Sequence, residues 1–505
     1  MNKQTGTDAA GAVERFMQCH REGQFAVDAL DFIIDAAISA ELKQARVGTH
    51  ILFGHVVEPL SDTFLKQDRE ALNRVLAHLI SRIRILPQAR PIHERLDRWG
   101  LRDESDLLNR MKRLSAVKPF DSGSRGKVKK IFIPSRITLG ADVLLNSMVI
   151  EKMIERFPDA EIVFLGNGKN GSLLKGNQPQ VRVHSLQYDR RDVLLNRFLK
   201  WLDVIRALES ETCDPGPEVD YIIVNTDSRL LQSGLLPLLS PGKEDGRYFF
   251  WEPSIRREAW GGTSQAEDLA QWLRATFGTE PRGRRDEKIY PKIDLLPQDN
   301  AFAKQVYEIL DPAGKAFVVG MSLGVGGNQE KRVRYSSEIV SRFEKSLVRK
   351  LLSDGVILVL DRGEGVEEYE QADALIQTVR DMGFETAEVT EESPGLIGVG
   401  RSEANPRDIR LLVYRGGVSK FAALISLSDL YIGYDSLGQH AAAALGRDVI
   451  AIFAGYHSDL FPERWKPLGS GTIRLVKACS GPFSPGRQDE LAAEVFELYK
   501  RGLIK

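Results

Sequence analysis

The sequence predicts an α/β protein of two facing Rossmann-like domains preceded by an all-α N-terminal domain. Three observations carry this expectation. Residues 1–120 place apolar side chains at helical spacing with few strand-like runs. From residue 127 short apolar runs alternate with longer helical stretches, and this alternation breaks near residues 280–298 and then resumes.

In the first segment, "FAVDALDFIIDAAISAEL" and "EALNRVLAHLISRIRIL" repeat apolar residues every three or four positions. A break follows at "KPFDSGSRGKVKK", rich in Pro, Gly, Ser and charge. Then "KIFIPS", "DVLLNSMVIEKMIERF", "EIVFLG", "DVLLNRFLKWLDVIRALE" and "DYIIVNT" alternate strand and helix, the pattern of a parallel sheet, over residues 127–283. The charged, proline-bearing "EPRGRRDEKIYPKIDLLPQD" suits a linker. Residues 299–480 resume with "AFVVGMS", "SEIVSRFEKSLVRKLLS", "VILVLDRG", "YEQADALIQTVRDMG", "SKFAALISLS", "LYIGYDS", "QHAAAALG" and "DVIAIFAG". Residues 487–505 form an amphipathic helix expected to pack back on the preceding domain. Ligands of such open sheets bind at the carboxyl ends of the strands.

Composition excludes several classes. The 505 residues, 42% of them hydrophobic, allow more than one core. With 69 basic and 70 acidic residues the net charge is -1, so no global field draws the chain to nucleic acid or an anionic membrane. No signal peptide or membrane span is visible, and a cytoplasmic protein is expected. Cys19, Cys213 and Cys479 form no CxxC pair, and the eight histidines form no HxxxH pair, so neither a disulfide framework nor a metal site is expected.

The stretch "GYDSLGQHAAAALG" sets a polar elbow between a strand ending at Tyr434 and a helix starting near Gly438 and stopping at Gly446. A helix start offers unpaired N–H groups and a positive dipole end to phosphate oxygens. Gly438 allows close backbone approach, and His440 in the first turn can donate to the same anion. Asp435 and Ser436 are equally what any helix cap favours.

The run "SKFAALISLSDLYIGYDSLGQHAAAALGRDVIAIFAG", with "FPERWKPLG" after it, resembles the C-terminal signature of the ADP-heptose:lipopolysaccharide heptosyltransferases, glycosyltransferase family 9. Asp435, Ser436 and His440 keep the family spacing; Leu437 stands in the usual glycine position and Gly438 follows. "KKIFIPSRITLGADVLLNSMVIEKMIERFPDAEIVFL" is similar to the family's opening, with Ala141 added before the aspartate. The resemblance implies a GT-B architecture and a metal-independent, inverting transfer of a sugar, heptose among them, from an ADP-activated donor. It needs no cofactor beyond that substrate.

On this resemblance Asp142 is the general base that takes the acceptor hydroxyl's proton; on spacing alone it reads as an N-cap. Arg136, just past the first strand, holds acceptor or diphosphate charge or is a solvated surface arginine. "VVGMSLGVGGNQEKRVR" is neither GxGxxG nor a Walker loop. Ser322 and Lys331, with Arg332 competing, match the family's donor-diphosphate loop, where basic charge suits the departing group. Among Glu364, Glu367 and Glu368 the match to a ribose-binding glutamate stays open, with Glu367 taken as the candidate.

Two other functions fit the same residues. A nucleotide-sugar epimerase would convert the donor with no acceptor, and a non-catalytic nucleotide-binding or scaffold protein is motivated by Ala141, Leu437 and the added helices. The acceptor, a protein or a glycan, is not specified by the sequence, and the N-terminal helices suit either acceptor recognition or homo-oligomerisation.

Overall fold

The computed structural model describes residues 2–189, 191–212, 220–253, 263–278, 288–311, 313–325, 331–334, 338–398, 408–478 and 483–503. Cys213, Cys479 and the glycines Gly326 and Gly327 lie outside them. The chain divides into two units. The first comprises Met1–Thr138, Val149–Gly171 and Pro179–Glu287; the second comprises Leu139–Met148, Ser172–Gln178 and Lys288–Lys505.

The helical periodicity of the first segment becomes helices Asn2–Arg21, Val27–Ala37, Leu42–Leu52, Lys66–Arg84, Arg90–Arg98 and Glu104–Leu114. Leu30, Ile33, Ile34 and Ala37 line the buried face of the second; Leu72, Val75, Leu76, Leu79, Ile80 and Ile83 line that of Lys66–Arg84. Asp103 caps the last helix, accepting from the Asp106 N–H at 3.0 Å. These side chains share one apolar core with Phe132, Phe198 and Trp201 of the α/β part of the same unit. Trp99 meets Trp201 edge to face with ring centroids 6.1 Å apart, and the Trp201 indole donates to the Pro237 carbonyl at 2.8 Å.

Strands β1 (Lys130–Pro134), β2 (Glu161–Gly166), β3 (Val181–Ser185), β4 (Tyr221–Asn225) and β5 (Tyr248–Phe250) form a parallel sheet in the order β3-β2-β1-β4-β5. The second unit holds β6 (Val318–Ser322), β7 (Ile357–Asp361), β8 (Glu385–Thr390), β9 (Ser393–Gly398), β10 (Ile409–Arg415), β11 (Leu430–Tyr434), β12 (Asp448–Phe453) and β13 (Ile473–Lys477). Their order is β13-β12-β11-β6-β7-β10-β8-β9, parallel except where β9 runs against β8. The expected pair of Rossmann-like sheets with N-terminal helices is therefore present. The Pro485–Leu503 helix lies on the Arg342–Ser353 helix, with the Tyr499 hydroxyl on Asp354 at 2.7 Å.

Among the described residues no helix is long and apolar enough to cross a membrane, and no cluster of His, Cys, Asp or Glu is placed to hold a metal ion.

Close helix contact depends on Gly48, where a Cβ would stand 2.4 Å from the backbone of Ala36 and Ala37. Gly48→Ala is expected to lower the unfolding free energy by about 1–3 kcal/mol, the usual cost of overpacking. Gly54→Ala, with only the His50 ring 3.9 Å away, should lower it by less. Urea denaturation of the two variants checks this.

Candidate functional site

In the second sheet the chain leaves β6 towards β7 on one side, while β11 and β12 lie on the other, so a crevice opens at the carboxyl ends of β6 and β11. The register sets Gly433 beside Ser322 and Ser322 beside Asp361, bringing the ends of β11, β6 and β7 into one row. Ser322 Oγ accepts from the Gly324 N–H at 3.2 Å and so shapes the loop leaving β6.

The elbow follows directly. β11 ends at Tyr434, the next helix runs Leu437–Ala444, and Gly446 takes φ +73° beyond it. Ser436 occupies the N-cap position, but its side chain makes no capping bond. Asp435 does not cap either: its carboxylate accepts from Lys331 Nζ at 2.7 Å and from Gln439 Nε2 at 3.0 Å. Lys331 also lies over the Phe461 ring, 4.8 Å from its centroid.

His440 is buried, and its Nδ1 has no hydrogen-bond partner among the described residues. Burial first, and Lys331 second, push its pKa down to about 4 against the pull of Asp435. The ring is therefore neutral near pH 7 and keeps one N–H donor. Gly438 has a steric cause that spacing does not reveal, because a Cβ there would sit 1.8 Å from the Tyr431 hydroxyl. The room kept free at this glycine is filled by the tyrosine.

Asp142 lies inside a helix. The chain is helical from Leu139, and Asp142–Asn146 forms a π-helical turn that runs on into Ser147–Arg156. This excludes the N-cap role. Asp142 is fully buried and accepts from Asn146 Nδ2 at 2.7 Å. Leu139–Met148 belongs to the second unit, and its first residues pack on the Leu437–Ala444 helix. A Cβ on Gly140 would lie 3.2 Å from His440 Cδ2 and 3.4 Å from the Leu437 nitrogen.

The structure thus gathers Ser322, Lys331, Asp435, Ser436, Gly438, His440 and the Asp142 segment in the second unit. The remaining candidates are Arg332 and Glu367, also in the second unit, and Arg136 in the first. Arg332 is buried and bound to Glu344 at 2.5 Å, where the Tyr434 hydroxyl also donates at 3.0 Å, so Lys331 is the cation that reaches the elbow. Glu367 is exposed. Its neighbour Glu368 turns inward and accepts from the backbone N–H groups of Glu364 and Gly365 at 2.8 and 3.2 Å. Arg136 belongs to the first unit, where its guanidinium donates to the Thr226 carbonyl.

Two residues of these strands escaped sequence reasoning. Tyr431 is one. Asp361 is the other; part of its surface is exposed, yet the protein around it is dense enough that desolvation pushes its carboxyl up to about 7, with Glu368 and Glu364 adding to a shift that the Gly363 N–H opposes. Its place after "VILVL" at a strand end was the available signal.

Neither a protein-family model nor a curated protein matches this chain. Solved structures do. A glycosyltransferase of family 9 from Veillonella parvula DSM 2008 aligns at 12% identity over 74% of this chain and 98% of its own, with a TM-score of 0.47. The E. coli ADP-heptose lps heptosyltransferase II aligns at 13% identity over 74% and 100%, with a TM-score of 0.45. A UDP-N-acetylglucosamine 2-epimerase from Listeria monocytogenes, so described with reservation, aligns at 13% identity over 74% and 89%, with a TM-score of 0.39. All three scores lie below 0.5.

The depressed pKa of His440 has a measurable sign. Between its ordinary 6.5 and about 4 the unfolded chain takes up a proton that the folded one excludes. This contribution to stability is complete above pH 6.5 and is lost as the pH falls through that window. His440→Gln is expected to flatten the pH dependence of unfolding there by roughly 3 kcal/mol at most. Denaturant titrations at pH 7 and pH 4.5 give the difference.

Proposed function

We propose that this protein is an inverting glycosyltransferase of the GT-B kind that moves a sugar from an ADP-activated donor, with heptose the leading candidate, to a protein or glycan acceptor. The observation that carries it is the elbow at Asp435–His440. A helix start, an ammonium held at 2.7 Å from Asp435 and a neutral, buried imidazole with one unpartnered nitrogen stand together at the switch point of a doubly wound sheet. None of the elbow's polar side chains is spent on capping the helix. Such a set suits a diphosphate.

In the proposed reaction the Asp142 carboxylate takes the proton of an acceptor hydroxyl. The hydroxyl oxygen attacks the anomeric carbon as that carbon's bond to the diphosphate oxygen breaks, and the electron pair leaves with ADP. Negative charge then grows on the diphosphate, where Lys331, the helix N-terminus and the His440 N–H counter it. Asn146, donating to Asp142, holds the carboxylate's orientation. Gly140, without a side chain, lets this segment approach His440. Ser322 and Glu368 shape the loops that border the nucleoside side. No step in this scheme calls on a metal.

The complete burial of Asp142 favours one second reading, a protein that binds the nucleotide sugar without turnover.

Thermal unfolding with ADP, UDP, GDP and CDP at equal concentration tests the donor site. ADP at about 100 times its dissociation constant should stabilise by roughly 2.7 kcal/mol, and the other nucleotides by less. Lys331→Ala should weaken ADP binding about tenfold or more, in line with a charge-assisted bond. Asp142→Asn should leave the ADP shift intact and reduce sugar transfer at least a hundredfold. Equal loss of binding and transfer in that variant would remove Asp142 as the base, and ADP binding with no transfer by the unaltered protein would select the second reading.

A further inference from the structure

The first unit has its own switch point, between β1 and β4, and backbone strain collects beside it. Ile137, three residues beyond Pro134 at the end of β1, has φ +78°. In the connection from β4 to β5, Asp227, Gln232, Ser233 and Gly234 have φ of +65°, +46°, +57° and +80°. Left-handed conformations are unfavourable for residues other than glycine and persist where the surroundings over-determine them.

The surroundings that do so come from the N-terminal helices. Arg69, in the Lys66–Arg84 helix, donates from Nη2 to Asp227 Oδ2 at 2.9 Å and from Nε to Glu252 Oε1 at 3.0 Å, and all three side chains are at most 7% exposed. Ser115 donates to the other Glu252 oxygen at 2.7 Å. Burial would raise the Glu252 carboxyl, but Arg69 and Ser115 hold it below its ordinary value. Arg110, in the Glu104–Leu114 helix, donates to the carbonyls of Gly234 and Leu235 at 2.8 and 3.1 Å and to Glu244 at 2.7 Å. The N-terminal helices thus grip the left-handed run at both ends.

We infer that the N-terminal helices are an internal brace, in which Arg69 and Arg110 are positioning residues that hold the β4–β5 connection in its strained form and thereby fix the carboxyl edge of the first sheet. The clamped connection presents the Thr226 carbonyl to the Arg136 guanidinium, and the Ser228 hydroxyl donates to the Ser135 carbonyl at 2.5 Å. Loosening Asp227 is therefore expected to loosen Arg136 and the turn at Ser135, at the carboxyl edge of the first sheet. The effect on turnover rests on the function proposed above; the effect on the loop does not.

Hydrogen–deuterium exchange on the full-length protein tests the brace. Arg69→Ala would leave two buried carboxylates without a cation, so the second variant is Arg69→Met combined with Asp227→Asn and Glu252→Gln. In this triple variant amides 226–236 should exchange at least tenfold faster, while those of β6, β7 and β11 keep their rates. Arg69→Lys should recover part of the protection. Hydrolysis of ADP-heptose, in which water takes the sugar as ADP leaves, should fall at least tenfold at saturating donor, with the ADP dissociation constant within twofold of the parent. Unchanged exchange at 226–236, acceleration spread over both units, or a parallel loss of ADP affinity would each overturn the brace. Absence of ADP binding and turnover in the unaltered protein would instead defeat the proposed function and leave the exchange result to decide the brace alone.

Discussion

Right-handed crossover is the constraint on which the rest of the molecule depends. A parallel strand, a helix and the next parallel strand connect with one hand, so a sheet covered by helices on both faces must grow in two directions from a starting strand. In both sheets the chain obeys this by turning back beside its first strand, with β4 next to β1 and β11 next to β6. The reversal sends the flanking connections to opposite faces and leaves the strand ends between them open. The polar groups discussed above lie at or beside those two openings because only there can backbone and side chains face a ligand without disturbing a packed core.

Charge is handled differently at the two openings. In the second unit Lys331 is partly exposed and shared between one carboxylate and an aromatic face, an arrangement that an incoming anion can compete for. Arg332, one residue on, is closed into a pair with Glu344 and is unavailable for such competition. In the first unit the guanidiniums of Arg69 and Arg110 are buried against carboxylates and carbonyls, and opening such pairs leaves charges stranded in a poor dielectric. One opening is built to exchange partners and the other to keep them.

Much of this architecture was open to inspection in the sequence. β1, β2, β4, β6, β7, β11 and β12 each contain a β-branched apolar run, and "DLYIGYDS" with Gly446 delimits the elbow to within a residue. The strands that escaped fall mostly at edges. β3 and β13 mix polar and apolar residues over only five positions, and β5 has three, too few for a period of two to stand out. β10, a central strand reading "IRLLVYR", carried the same signal as β7 and could have been recognised. At the site, the choice between Lys331 and Arg332 needed the position of Glu344, and the choice between Glu367 and Glu368 needed the direction of a helix face. The π turn at Asp142 has no spacing signature, because five residues are too few to tell its period from that of the α-helix it joins.

The contact between Tyr431 and Gly438 couples two positions that neither sequence proximity nor shared secondary structure would associate. A strand residue dictates the size of a helix residue across the elbow, so the two should vary together: a chain with a smaller side chain at 431 gains freedom to carry alanine or serine at 438, and one that keeps tyrosine does not. In related chains the residue at 431 becomes a marker for which form of the elbow to expect.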